Sequence, residues 1–270
     1  MSSNSDAVDG QSNNSNTIVS QAENSSSLQL ERLDTYLSRI DEVEGWVDNR
    51  IFKPLKDLSE LQNKLSVSGN ILEIGVYRGR FFLAIDCLRR ENEKSLAIDI
   101  FDDQFLNIDS SGVTGNESAE GLFLSNVATQ SFDSTNVSHI KADSLSLNTE
   151  ALSSITANYG SFRVISIDGG HTVEHTVNDL LLCQELLSQG GAIFVDDYTN
   201  MDWPGVHEGV CKYFALHHYR LAPVFLGFNK MILVNISYHH SYFKFFKNHR
   251  IGKIATNVVS MFGSDVHLAK

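Results

Sequence analysis

The chain is poor in the residues that staple or break structure: among 270 residues there are three prolines, three cysteines and two tryptophans. Nowhere does it hold a run of about 18 apolar residues, the length a membrane-spanning helix needs. Its N-terminus also lacks a basic stretch leading into an apolar one, so neither a membrane span nor a secretory leader is expected. Cys87, Cys183 and Cys211 are far apart, odd in number and without metal-ligand spacing, a poor framework for disulfides. They are expected to be core thiols of a soluble, cytoplasmic protein. Positive charge is also scarce: 21 Lys and Arg stand against 33 Asp and Glu, for a net charge of −12. Residues 28–235 alone carry 16 basic and 29 acidic side chains, which argues against a nucleic-acid partner, because such binding is driven by phosphate neutralisation. Residues 1–27 have no Lys or Arg and few large apolar side chains. They cannot bury enough surface to offset the entropy of ordering and are expected to be disordered.

What is present is concentrated in residues 165–198, ISIDGGHTVEHTVNDLLLCQELLSQGGAIFVDDY. The β-branched run Val164 to Ile167 stops at Asp168-Gly169-Gly170, and the apolar run Ala192 to Val195 stops at Asp196-Asp197. Between them Val173, Val177, Leu180, Leu181 and Leu187 recur at helical spacing, with Gly190-Gly191 as the expected C-terminal stop. This reads as a βαβ unit with parallel strands. If the strands are adjacent they lie about 4.8 Å apart, so carboxylates remote in sequence converge. One Asp after a buried strand is often a plain turn residue. Three of them at two strand ends, with His171 close by, read as a site for an ion or a substrate.

Ahead of this unit, leucines and isoleucines over 28–66 predict one or two amphipathic helices interrupted near Pro54, forming a helical cap segment. The stretch 70–85 then reads as strand, glycine turn and helix. Glu73 precedes Gly75 and Gly79 in a GxxxG spacing, and Tyr77 and Arg80 stand at two glycine positions of the dinucleotide pattern GxGxxG. A side chain at Tyr77 hinders close approach of a pyrophosphate, which disfavours a nicotinamide cofactor and an oxidoreductase. A second strand, 95–101, carries Asp99 at its end, 24 residues beyond Gly75 and near the offset of roughly 20 at which an acid meets ribose hydroxyls. A helix over 119–131 and a strand over 138–142 follow, the strand ending at Asp143-Ser144, which either meets an adenine edge or caps a turn. The loop 104–118 is a lid or an idle surface loop. Pro204 opens a further helix, and 222–228 with 230–235 form a closing antiparallel hairpin. Residues 236–270, basic and aromatic, read as a partly helical appendage that packs on the domain or on a second subunit of a homo-oligomer.

These residues resemble the class I S-adenosylmethionine-dependent methyltransferases, and within them the macrocin O-methyltransferase-like group of metal-dependent small-molecule O-methyltransferases. The resemblance covers about 66–235. Glu73, Gly75, Tyr77 and Gly79 are similar to the first cofactor motif, Asp99 to the ribose acid, and Asp143 with Ser144 to the adenine side. Asp168, Asp196 and Asp197 are similar to the metal motif, and Asp168 also borders the cofactor. Some relatives carry an acidic base two positions after the first metal Asp, where this chain has Gly170; others use a histidine three positions after, and His171 fits that pattern. The resemblance implies a Rossmann-like α/β fold of seven strands, order 3-2-1-4-5-7-6 with the last strand antiparallel and helices on both faces. The catalytic domain would span 67–235.

The activity so implied is transfer of a methyl group from S-adenosylmethionine to a hydroxyl, one of a vicinal pair, on a small molecule such as a sugar or natural product. Mg²⁺ or another divalent cation on Asp168, Asp196 and Asp197 would activate the hydroxyl, and His171, a side chain that titrates near neutrality, would take its proton. The alternatives are a non-catalytic cofactor-binding or scaffold protein of the same fold, and a metal-dependent hydrolase, which leaves Glu73, Gly75, Gly79 and Asp99 without purpose.

Overall fold

The computed structural model describes residues 26–108, 118–216 and 219–270. The expectation of disorder for 1–27 therefore lies outside the described residues, except for its last two, which begin a helix, α1 (26–37). Residues 109–117 of the suggested lid also lie outside. After α1 come α2 (Phe52–Lys64), β1 (Asn70–Ile74), α3 (Arg80–Asp86), β2 (Ser95–Asp99), α4 (Ala119–Gln130), β3 (Val137–Lys141) and α5 (Thr149–Tyr159). Then follow β4 (Phe162–Ile167), α6 (Val173–Leu186), β5 (Leu187–Val195), α7 (Pro204–Ala215), β6 (Leu221–Gly227), β7 (Lys230–Asn235), α8 (His239–Asn248), α9 (Arg250–Ile254), β8 (Asn257–Met261) and β9 (Ser264–Leu268).

One sheet holds all nine strands in the order β3-β2-β1-β4-β5-β7-β6-β9-β8. The expected order 3-2-1-4-5-7-6 is its first part, with β7 antiparallel to both β5 and β6. Two strands more than expected are added by the tail: β9 runs parallel to β6 through Phe225↔His267 and Leu226↔Leu268, and β8 pairs antiparallel with β9. Both are short, and β8 is largely exposed, so neither gives the apolar run by which a central strand is recognised. The tail packs on its own domain. Tyr242 and Phe246 of α8 are fully buried, and the Tyr242 hydroxyl donates to the Gly190 carbonyl at 2.6 Å.

Each central strand is buried on both faces, as a parallel sheet requires. Val164 and Phe194 join a core shared with α1, α2, α3, α4 and α8, while Ile165, Ile193 and Val195 join a second core under α5, α6 and α7. Two boundaries differ from expectation. The cap helix break falls at residues 38–51 rather than at Pro54, which sits in the first turn of α2 where a missing N–H costs nothing. The pair Gly190-Gly191 does not end α6; it lies inside β5, where Gly190 has φ +78° and a Cβ would come within 2.9 Å of the Tyr238 ring. The glycine serves close packing against the tail rather than a helix stop.

Because α8 is part of the core, Phe246→Ala is expected to cost about 3–5 kcal/mol of unfolding free energy, whereas Val258→Ala on exposed β8 should change it by less than about 0.5 kcal/mol. Urea denaturation of both variants measures the contrast.

Candidate active site

The carboxyl ends of β1, β2, β4 and β5 finish level. Ile74 pairs with Ile98 on one side and Ile167 on the other, and Ile167 pairs with Val195. The ladder runs one residue further: Gly75 N–H donates to Ile98 at 2.8 Å, Asp168 N–H to Ile74 at 2.8 Å and Asp196 N–H to Ile167 at 3.0 Å. Gly75, Asp168 and Asp196 thus stand side by side along one edge, at the strand ends where open α/β sheets bind ligands. A Cβ on Gly75, which has φ +78°, would lie 1.9 Å from the Asp168 carbonyl oxygen. Only glycine permits that approach.

Above this edge is a cavity of about 890 Å³, lined among others by Glu73, Gly75, Tyr77, Asp99, Asp143, Ser144, Asp168, His171, Asp196 and Asp197. It has the size of a small-molecule site. Of the residues singled out in the sequence only Gly79 is not part of the wall; it starts α3 at φ +90° with its Cα against the Phe123 ring. Asp99 ties the glycine turn together. One of its oxygens accepts the Val76 and Tyr77 N–H groups at 2.7 and 3.0 Å, and the other accepts the Phe101 N–H at 2.6 Å. Burial pushes Asp99 above its ordinary pKa against these bonds. Asp143 both caps the turn after β3, accepting from Leu145 N–H at 3.0 Å, and faces His175 at 3.4 Å across the cavity wall.

At the far end Asp168, His171 and Asp197 each bring one ligand atom within 4.8 Å of the others. His171 Nε2 lies 3.0 Å from Asp197 and 4.0 Å from Asp168, with its ring stacked on Trp203 at 4.4 Å between centroids. Burial works against the charged form of Asp197, but His171, Asn200 and Asn229 overcome it and hold the carboxyl below the usual range. Asn200 and Asn229 donate to the same oxygen at 2.8 and 2.6 Å. Asp197 itself adopts φ +57°, a conformation that Asp tolerates better than most residues. Asp168 opens to the cavity with 27 % of its side chain exposed, yet it sits deep enough that burial, and then Asp196 beside it, drive its pKa well above the ordinary value. Asp196 is turned elsewhere. One oxygen accepts the Asp197 N–H at 2.9 Å and the other forms an ion pair with Lys230, whose ammonium is 4.3 Å over the Phe81 ring.

Lys230, His175, Trp203, Asn200 and Asn229 were not singled out by the sequence. Lys230 and Asn229 carry no signal there beyond a hairpin turn. Trp203 had one, as a rare aromatic immediately before a helix-starting proline. His175 explains Gly170: a Cβ at that position would meet the His175 ring at 2.6 Å, so the acid that some relatives carry there has no room.

Residues 72–198 match the family model described as a methyltransferase domain. Among solved structures, the O-methyltransferase NovP is 19 % identical, aligned over 68 % of this chain and 79 % of its own, with a TM-score of 0.52. Cofactor-bound Rv0187 from MTB is 16 % identical over 76 % of this chain and 89 % of its own, with a TM-score of 0.50. No curated protein matches the chain. The family match is confined to residues 72–198, and the fold is a Rossmann-like α/β fold shared with these solved structures.

Glu73 is the outlier of the cavity wall. It is 1 % exposed, and neither oxygen makes a well-formed hydrogen bond, the Ser166 hydroxyl being the polar group beside it. Burial pushes its pKa up to about 8, only partly offset by the Lys230 charge. The folded state therefore favours the proton, and Glu73 opposes folding increasingly as pH climbs from the ordinary carboxyl range towards 8. Glu73→Gln should make the ligand-free protein more stable than wild type at about pH 8, with the gain vanishing near about pH 4. Chemical denaturation across that range tests this, and a gain independent of pH would contradict it.

Proposed function

We propose that the protein is an S-adenosylmethionine-dependent O-methyltransferase acting on a hydroxyl, one of a vicinal pair, of a small molecule, with a divalent cation assisting. The observation that carries this is the cavity wall: Glu73 is buried without a well-formed hydrogen bond, and Asp99, Asp143, Asp168, Asp196 and Asp197 line the same space. Such a wall repels the pyrophosphate of a dinucleotide and suits a ligand bearing a sulfonium and an ammonium. The cofactor, when bound, supplies an electrophilic methyl group. Asp99 offers its remaining lone pairs to ribose hydroxyls, Asp143 and Ser144 face an adenine edge, and Glu73 receives the ammonium. Gly75 and Tyr77 shape the turn over which the chain of the cofactor passes.

The acidic end also fits a divalent cation. Two carboxylates converge there, one of them with a strongly raised pKa that a cation would relieve, and oxygen donors suit Mg²⁺. Asp168 and Asp197 would hold the ion, with Asp196 behind them. When bound, it supplies a Lewis acid that makes the acceptor hydroxyl more acidic and fixes its direction. His171 would take the proton. Asp197 anchors Nε2 and Trp203 holds the ring plane, so the imidazole is pre-oriented, which is where much of the rate of such a displacement comes from. The acceptor itself is a hydroxylated small molecule that meets the cavity from the side of His171 and Asp197.

Calorimetry should show S-adenosylmethionine binding to the wild type and markedly weaker binding to Glu73→Gln. His171→Gln should lower kcat by about 10²–10⁴-fold while leaving cofactor affinity near wild type. Excess chelator should abolish turnover and Mg²⁺ restore it. Unchanged activity in chelator would remove the cation, and wild-type turnover of the histidine variant would remove the base.

A further inference from the structure

Lys230 is the first residue of β7, directly after a tight turn in which Phe228 and Asn229 have φ of +57° and +68°. That turn aims the lysine back into the protein. It is 2 % exposed, pairs with one oxygen of Asp196, and lies over the face of Phe81. The other Asp196 oxygen accepts the Asp197 N–H at 2.9 Å. Asp196 is thus paired with a buried cation, whereas the partners of Asp197 are two neutral amides and His171, and Asp196 stands outside the set formed by Asp168, His171 and Asp197. A buried ammonium is retained only where paired charge compensates its lost hydration. Here the compensating acid is one of the three that the sequence reading gave to a metal.

We propose that Lys230 is a resident cation that withholds Asp196 from the metal donor set, so that the site takes its divalent ion on Asp168 and Asp197 and with weaker affinity than three free carboxylates would give. The proposal rests on the reading of this cavity as a cation-assisted methyltransferase site. Lys230 is a positioning residue: it touches neither acceptor nor ion and acts through Asp196. A fixed positive charge a few ångströms away opposes a divalent ion directly, and removing it also frees an oxygen ligand; both effects have the same sign.

The test is Mn²⁺ affinity of the full chain without cofactor, by calorimetry or by electron paramagnetic resonance. Lys230→Met should bind Mn²⁺ at least about tenfold more tightly than wild type, Lys230→Arg should stay near wild type, and the double variant Lys230→Met with Asp196→Asn should lose the gain. Asp196→Asn alone should weaken binding by no more than about tenfold, while Asp168→Asn and Asp197→Asn lose it. Equal or weaker binding by Lys230→Met overturns the proposal and leaves the cation-assisted reading intact. Binding by Lys230→Met but not by wild type upholds the lysine's role and overturns that reading; binding by neither overturns both. Should Lys230→Met fail to fold, Asp196→Asn decides, since loss of Mn²⁺ binding as complete as in Asp168→Asn overturns the proposal.

Discussion

The structure turns on a concentration of negative charge. Parallel strands that end level present their last residues to one another, and here those residues, or their next neighbours, are Glu73, Asp99, Asp168, Asp196 and Asp197. Like charges within a few ångströms in a partly enclosed space repel strongly, so each carboxylate must be satisfied in its own way or remain a site that waits for a cation. Asp99 is satisfied by three backbone N–H groups, Asp197 by His171 and two asparagine amides, and Asp196 by Lys230. Glu73 and Asp168 are less well compensated, and burial raises the pKa of both, as it does that of Asp99 against its three hydrogen bonds. Glu73 lies beside the glycine turn after β1, and Asp168 lies beside His171 and Asp197.

The cap and the tail, which carry none of these acids, make that concentration tolerable. α1 and α2 close one face of the sheet, and the Gln62 side chain reaches the Arg163 carbonyl and the Tyr242 hydroxyl. α8 then packs against α2 while Tyr242 fastens Gly190 of β5. β5 is the strand that delivers Asp196 and Asp197, so the tail braces the acidic end from behind. An enclosing scaffold of this kind keeps the site from relaxing its own repulsion by spreading.

Much of this was legible in the sequence because the features are local. Strands buried on both faces announce themselves as unbroken apolar runs, and Asp168, Asp196 and Asp197 follow such runs directly. The β1 turn was readable from Glu73, Gly75 and Gly79 together, although Gly79 proved to serve helix geometry and packing on Phe123 rather than the cavity wall. What escaped is what depends on contacts between distant segments. β8 and β9 gain their place from pairing with β6 rather than from their own composition. Gly190 looked like a helix stop because a glycine pair after a helical pattern usually is one; the side chains that crowd it, Val67 and Tyr238, are both remote in the chain. Lys230 was invisible for the same reason: a lysine after an asparagine in a hairpin reads as a solvated turn residue.

Gly170 and His175 show how such distant or through-space effects reach the chemistry. In the sequence Gly170 is only a missing acid. In the structure the position is filled from the next helix, because the Thr172 hydroxyl caps α6 and lies 2.8 Å from His175 Nδ1, fixing the ring where a side chain on residue 170 would stand. The same ring faces Asp143. A chain that places a histidine there gives up a carboxylate base beside Asp168 and with it one more negative charge in a wall that already has too many. The side chain that remains beside Asp168 is the His171 imidazole, which carries no negative charge in either protonation state. Such a side chain adds no negative charge to a wall that already holds Glu73, Asp99, Asp143, Asp168, Asp196 and Asp197, whereas a further acid would.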